Sequence, residues 1–281
     1  MSNFFFINKL PFSQLSLNSL ILKNNFKLST FTKTLIGNSY YSQNHSLTSG
    51  NENIFNEWLG GLIDADGHFF ESKKGYANFK IVVPEKDKSL LYEIKHKFGG
   101  SIKSISGSKA FKYKLDHKKG LIKLVHSING KVRNPSKILQ LNKVCRLYGI
   151  ELKPNTPLTF YNGWLSGFLD ADGSIYLDEQ SNQLILSITQ KNRYLLDPLI
   201  KIYSGRVEIL GSKDAFQYSI YRKNEILNLV DNYFNIYPLR SSKAYKLKMV
   251  RDFYAYMDYK NSDKPDDFYK WVKFKNKWDK L

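Results

Sequence analysis

Two stretches carry the residue types that could do chemistry. WLGGLIDADGHF runs from Trp58 to Phe69, and WLSGFLDADGSI from Trp164 to Ile175. Each is apolar and small until it reaches two aspartates and a glycine: Asp64, Asp66 and Gly67 in the first, Asp170, Asp172 and Gly173 in the second. With residues 54–65 and 160–171 as helices, Gly60, Gly61, Ser166 and Gly167 lack bulk and let two backbones approach closely. Glycine weakens a helix by about 1 kcal/mol relative to alanine, so its use here points to close packing. The two helix C-termini then lie together, and Asp66 faces Asp172. Like charges repel, and the negative ends of two helix dipoles add to the cost. A divalent cation removes the conflict. Carboxylate and carbonyl oxygens suit Mg²⁺, which keeps waters and bridges to phosphate oxygens. A metal-bound water can attack a phosphodiester while the cation holds the developing charge. The competing reading is a helix ending in a polar turn, with Gly67 and Gly173 as stop signals. Two near-identical copies in one basic chain weigh against it.

The elements that must position these residues also occur twice. Trp58 and Trp164 lie 106 residues apart, and GSKAFKYKL from Gly107 is repeated as GSKDAFQYSI from Gly211. A period this long is a duplicated domain of ordinary size, not a solenoid. The expected organisation is a leader over 1–52, a first half over 53–150, a linker over 151–158 (ELKPNTPL, with two prolines) and a second half with a tail over 159–281. In each half a motif helix is followed by two alternating strand pairs separated by a helix, then a closing helical region. Phe111, Tyr113 and Leu115 alternate with Lys112 and Lys114; Phe216, Tyr218 and Ile220 alternate with Gln217 and Ser219. Asp87 and Gly99 are the expected caps of the helix between them. The class is α+β.

Each sheet has one polar face. Asn78, Lys80, Lys109, Lys112 and Lys114 are the candidate nucleic-acid contacts of the first copy. Ser187, Thr189, Lys191, Lys213, Gln217 and Ser219 are those of the second. Such residues either meet solvent or read base edges in a major groove. The formal charge of +18 and the duplication favour the second.

That charge points to a polyanionic partner, nucleic acid before a membrane surface, since no polybasic amphipathic helix is evident. No apolar run approaches the ~18 residues that span a bilayer. The lone Cys145 cannot form an intramolecular disulfide, which fits a reducing compartment. The five histidines lack paired ligand spacing, so no structural zinc is expected. Only seven of the 43 basic residues are Arg, and Lys, Phe, Tyr, Ile and Asn abound, a composition typical of AT-rich codons. The first 50 residues hold four Lys and no Asp or Glu, and read either as a transit peptide or as a poorly ordered lead-in.

LGGLIDADG (Leu59–Gly67) and LSGFLDADG (Leu165–Gly173) resemble the paired signatures of LAGLIDADG homing endonucleases of the monomeric, two-motif kind. The resemblance covers about residues 53–260. It implies two pseudo-symmetric αββαββα halves with saddle-shaped antiparallel sheets in the DNA major groove. It implies a double-strand cut across the minor groove with short 3′ overhangs, using two or three divalent cations. By position, Asp66 and Asp172 would bind metal, the Ala65 and Ala171 carbonyls would assist, and Asp64 and Asp170 would be structural. The family places a basic residue from each half near the scissile phosphates, where it stabilises charge. In YPLRSSKAYKLK the candidates are Arg240 and Lys243; in INGKVRNPSK they are Lys131 and Arg133. Each also reads as a solvated basic turn. The expected function is a site-specific, intron-encoded DNA endonuclease, acting on duplex DNA as a monomer with no membrane partner. The alternative is a maturase that helps a group I intron RNA fold. A transcriptional regulator is disfavoured by the lack of an appended helix-turn-helix. The implied location is the mitochondrion or another AT-rich organelle.

Overall fold

The computed structural model describes residues 50–211 and 214–281; residues 1–49, most of the expected leader, and Lys213 lie outside the described residues. The chain folds as α+β, with two αββαββα halves. In the first half α1 covers residues 50–66. It leads into β1 (His68–Glu71), β2 (Ala77–Pro84), α2 (Lys88–Phe98), β3 (Ser101–Ser104), β4 (Ala110–Leu115) and α3 (Lys118–Ile128), followed by α4 (Pro135–Tyr148). The second half repeats the order: α5 (Trp164–Asp172), β5 (Gly173–Asp178), β6 (Gln183–Gln190), α6 (Asp197–Tyr203), β7 (Arg206–Leu210), β8 (Ala215–Ile220) and α7 (Lys223–Asn228). It adds α8 (Lys243–Lys248), α9 (Val250–Tyr256) and α10 (Pro265–Trp278).

Each half builds one four-stranded antiparallel sheet, ordered β1-β2-β4-β3 and β5-β6-β8-β7. Period-two patterning fixes the register: Phe79 lies opposite Leu115, and Ile81 opposite Tyr113, all four buried. Each sheet's apolar face belongs to its own core. One core gathers Phe55 through Cys145; the other runs from Trp164 to Trp278 and includes the tail residues Trp271, Phe274 and Trp278. The linker is clasped by the first half, since Asn129 donates to the Glu151 carbonyl and accepts from Lys153 N–H, both at 2.8 Å. Among the described residues no helix is long and apolar enough to cross a membrane.

Two local expectations need correction. The second motif helix begins at Trp164, not at 160, because Asn162 Oδ1 accepts from the Trp164 N–H and turns the chain there. Asp87 does stand before α2, but its side chain makes no capping bond; its carboxylate is used elsewhere. Gly99 ends α2 as expected, at φ 80° with its N–H on the Lys95 carbonyl.

Candidate active site

The motif helices touch through one glycine each. A Cβ built on Gly61 would lie 2.0 Å from the Trp164 carbonyl oxygen; one on Gly167 would lie 1.7 Å from that of Trp58. Only bare backbone fits there. Gly60 and Ser166 do not share this contact. Gly60 packs against the backbone of Lys131, and the Ser166 hydroxyl donates to the Tyr237 carbonyl, so these two face the flanks of their own halves.

The tryptophans and the inner aspartates lock the helix pair reciprocally. Trp58 Nε1 donates to Asp170 at 2.8 Å, and Trp164 Nε1 donates to Asp64 at 2.7 Å. Each aspartate also organises a following loop. Asp64 accepts from the backbone N–H groups of Arg133 and Asn134, while Asp170 accepts from those of Arg240 and Ser241. Burial pushes the Asp64 carboxyl up to about 6 against the pull of these donors, and raises Asp170 as well. Asp64 and Asp170 are therefore structural, fully hydrogen-bonded beneath the surface.

Asp66 and Asp172 end the two helices at the rim. Burial, and then the nearby charge of Asp172, raise the Asp66 carboxyl to about 6. Burial also raises Asp172, opposed by a hydrogen bond from the Gln190 amide. Two lysines approach the pair. Lys243 Nζ donates to the carbonyls of Leu169, Asp170 and Ala171 at 3.0, 2.6 and 2.9 Å. Lys137 Nζ donates to the Gly67 carbonyl at 2.6 Å. Burial lowers both ammonium groups while the surrounding aspartates pull them back up.

Of the four basic candidates, Lys243 alone meets the acidic end. Arg133 turns its guanidinium to the Thr156 carbonyl, 5.7 Å above the Trp164 ring. Arg240 pairs with Glu93 and lies 4.9 Å over the Trp58 ring. Lys131 meets Gly60 with its backbone. The counterpart of Lys243 is Lys137, which the sequence reading passed over although the 106-residue offset points straight to it. Gln190 was also missed, since it sits on a strand with no motif of its own.

A divalent cation suits the donor set. The candidates are all hard oxygens, Asp66, Asp172 and the helix-end carbonyls of Ala65 and Ala171, and the Lys243 ammonium already stands in for a cation against Ala171. Among the described residues no cluster of three or more His, Cys, Asp or Glu forms. Any cation here would rest on two carboxylates plus carbonyls, waters and phosphate.

The open faces of the sheets hold most of the candidate contacts. In the first sheet Lys80 lies opposite Lys114, Asn78 opposite Phe70, and Lys112 opposite Lys103. Lys109 is exposed just before β4. In the second, Thr189 lies opposite Gln217, and Lys191 is exposed past β6. Ser187 and Ser219 pair on this face but are only 3% and 5% exposed, so neither offers surface as it stands.

The sequence profile of LAGLIDADG endonucleases matches residues 59–148 and 165–254. The chain is 36% identical over 265 residues to the intron-encoded RNA maturase bI4 of Saccharomyces cerevisiae, covering 91% of this chain and 41% of that protein. It is 33% identical over 235 residues to the intron-encoded DNA endonuclease ai2b of Dictyostelium discoideum, covering 79% of this chain and 88% of that one. The chain thus spans less than half the length of the yeast relative. Its fold matches the meganuclease I-SmaMI bound to DNA with a TM-score of 0.60 at 22% identity, over 80% of this chain and 98% of the other. Twin profile matches over both halves, and close relatives along most of its length, make this chain a member of the LAGLIDADG endonuclease family.

Proposed function

We propose that this chain is a site-specific, metal-dependent DNA endonuclease that cuts both strands of a long duplex site, leaving 3′ overhangs. The observation that carries the reading is the meeting of Asp66 and Asp172 at adjoining helix ends, with Lys137 and Lys243 beside them. Mg²⁺ held by Asp66, Asp172 and the Ala65 and Ala171 carbonyls would supply an activated water and charge stabilisation at the phosphate. The chain's own residues do the rest. The close helix approach at Gly61 and Gly167 fixes the spacing of the carboxylates, and Asp64 and Asp170 hold the loops that lead to the lysines. Lys137 and Lys243 bring positive charge to where phosphoryl oxygens become more negative. The open sheet faces lie along the duplex, and both halves of the site come from one chain, as a monomer requires. The proposed organisation keeps a leader over 1–52, halves over 53–150 and 159–281, and a linker over 151–158. The AT-rich composition, with a Schizosaccharomyces pombe relative named for a cox1 intron, supports a mitochondrial location.

The test uses a duplex spanning the intronless form of the gene's own insertion site. Binding is expected in Ca²⁺ and cutting in Mg²⁺. Asp66→Asn or Asp172→Asn should lose double-strand cutting and keep binding; full cutting by either variant would refute the shared site.

A second reading, assistance to a group I intron RNA, is favoured by the 36% identity to the yeast maturase. A splicing assay with both aspartates replaced separates the two, because RNA assistance should survive their loss.

A further inference from the structure

The loop that delivers Lys243 is held partly by the opposite half. Asp87, at the start of α2, is 4% exposed and leaves its own helix uncapped. Its Oδ1 accepts instead from the Ser242 backbone N–H at 2.6 Å, 155 positions along the chain. Further along α2, Glu93 accepts from Arg240 at 2.5 Å. Residues 240–243 are therefore bracketed. Asp170 takes the N–H groups of Arg240 and Ser241, Asp87 takes that of Ser242, and Lys243 turns back onto three carbonyls at the end of α5.

The first half's loop is built otherwise. Asp64 takes the N–H groups of Arg133 and Asn134, but the next residue is Pro135, which has no N–H to offer. The Ser136 N–H that follows goes to Asn134 Oδ1 of the same loop at 3.1 Å, so no counterpart of the Asp87 bond forms there, and Arg133 binds the linker carbonyl of Thr156.

We infer that Asp87 is a positioning residue: from the first half it sets the backbone that aims Lys243 of the second half, so one lysine of the site depends on how the two halves dock. The inference rests on the endonuclease reading only for its effect on cleavage. A buried carboxylate accepting a backbone N–H is a charge-assisted bond that fixes geometry. The hold acts on the second half's loop alone: the loop ahead of Lys137 is bound by Asp64 within its own half. Loss of Asp87 therefore disturbs one lysine and spares the other.

Two measurements test this. The first is amine-reactive labelling of the intact protein, read lysine by lysine by mass spectrometry. Asp87→Ala is expected to raise labelling of Lys243 several-fold and leave Lys137 unchanged. Asp87→Asn, which keeps an acceptor oxygen, should restore most of the protection. Unchanged Lys243 labelling in folded Asp87→Ala, or an equal rise at both lysines, overturns the proposal. The second follows a supercoiled plasmid carrying the intronless insertion site in Mg²⁺. Asp87→Ala should bind in Ca²⁺ like the wild type and cut one strand at close to the wild-type rate. The other strand should be cut roughly tenfold more slowly, as expected for a misplaced catalytic group, so nicked circles accumulate. Equal slowing of both strands overturns strand-selective positioning. A wild-type protein that leaves the plasmid intact defeats the endonuclease reading instead, and the labelling ratio still decides the role of Asp87.

Discussion

Two aspartates per motif do opposite things because they stand two residues apart on a helix. At about 100° per residue, that spacing turns their side chains roughly 200° apart. Asp64 and Asp170 point inward, 0% and 4% exposed, and are consumed by N–H donors. Asp66 and Asp172 point outward at the rim, where only lysines and an amide meet them. This division has a measurable result. The Asp66 carboxyl, raised to about 6 by burial and by Asp172, is ionised only above that pH, and a divalent cation binds the ionised form. Ca²⁺ affinity should therefore climb as pH rises through about 6, with protons released on binding, and level off above. Calorimetric titration on either side of that pH checks it, and an affinity flat across the window would contradict the shared site. The aspartates were legible in the sequence because their spacing and repetition are local. Lys137 was harder to see: it lies 71 residues beyond Asp66, in the first turn of α4, after a loop whose text does not resemble that before Lys243, and only the offset between copies connects them. Arg133 and Arg240 drew notice for their charge, yet their guanidinium groups serve as lids over the opposite half's tryptophans.

At the scale of elements, the α1–α5 contact sets the distance between the rim carboxylates. Backbone touches backbone at Gly61 and Gly167, so an added methyl has no flexible neighbour to displace. Gly61→Ala and Gly167→Ala should each destabilise the protein by about 3 kcal/mol or more, since the helices must part. Gly60→Ala also meets backbone, the Lys131 carbonyl at 2.9 Å, so it should destabilise too despite the gain in helix propensity, but less than either, because the overlap is smaller and lies away from the helix crossing. Urea midpoints of the three variants decide this; equal midpoints would mean that the glycines do not set the approach. Small residues at the crossing were readable from sequence, but which pair touches was not, because helix rotation depends on Trp58 and Trp164 finding the opposite aspartates. The start of α5 was misjudged for a related reason. Phe160 looks like a helical core residue, and it does pack against Tyr203 and Tyr233, but from an irregular segment ahead of Asn162. Apolar patterning shows what is buried; turn chemistry shows where a helix begins.

For the whole molecule, the positive charge is shared unequally between the two sheets. Alternation along the strands was enough to assign the polar faces, but the cross-strand register was needed to see which charges neighbour one another. In the first sheet Lys80, Lys103, Lys112 and Lys114 occupy adjoining strands on one face, and only Lys114 has a carboxylate partner there, Asp116 at 2.8 Å. In the second, the corresponding positions are Ser187, Glu208, Gln217 and Ser219, and Glu208 is paired with Arg206 of the same strand at 3.1 Å. Lysines that neutralise phosphates release counterions, and each such contact adds about 0.9 to the slope of log affinity against log salt. The first sheet should thus supply most of the salt-dependent grip, and the second should bind through polar side chains that stay accessible, Thr189 and Gln217. Replacing Lys80, Lys103 and Lys112 together by Ala should flatten the slope by about 2 to 3 on any duplex. Replacing Arg206 by Ala should flatten it by less than about 1, because Glu208 already offsets that charge. Fluorescence anisotropy across a KCl series in Ca²⁺, which permits binding without cutting, measures both. Equal slopes for the two variants would show that duplex contact is shared evenly, and that the bias in sheet charge has no part in holding DNA.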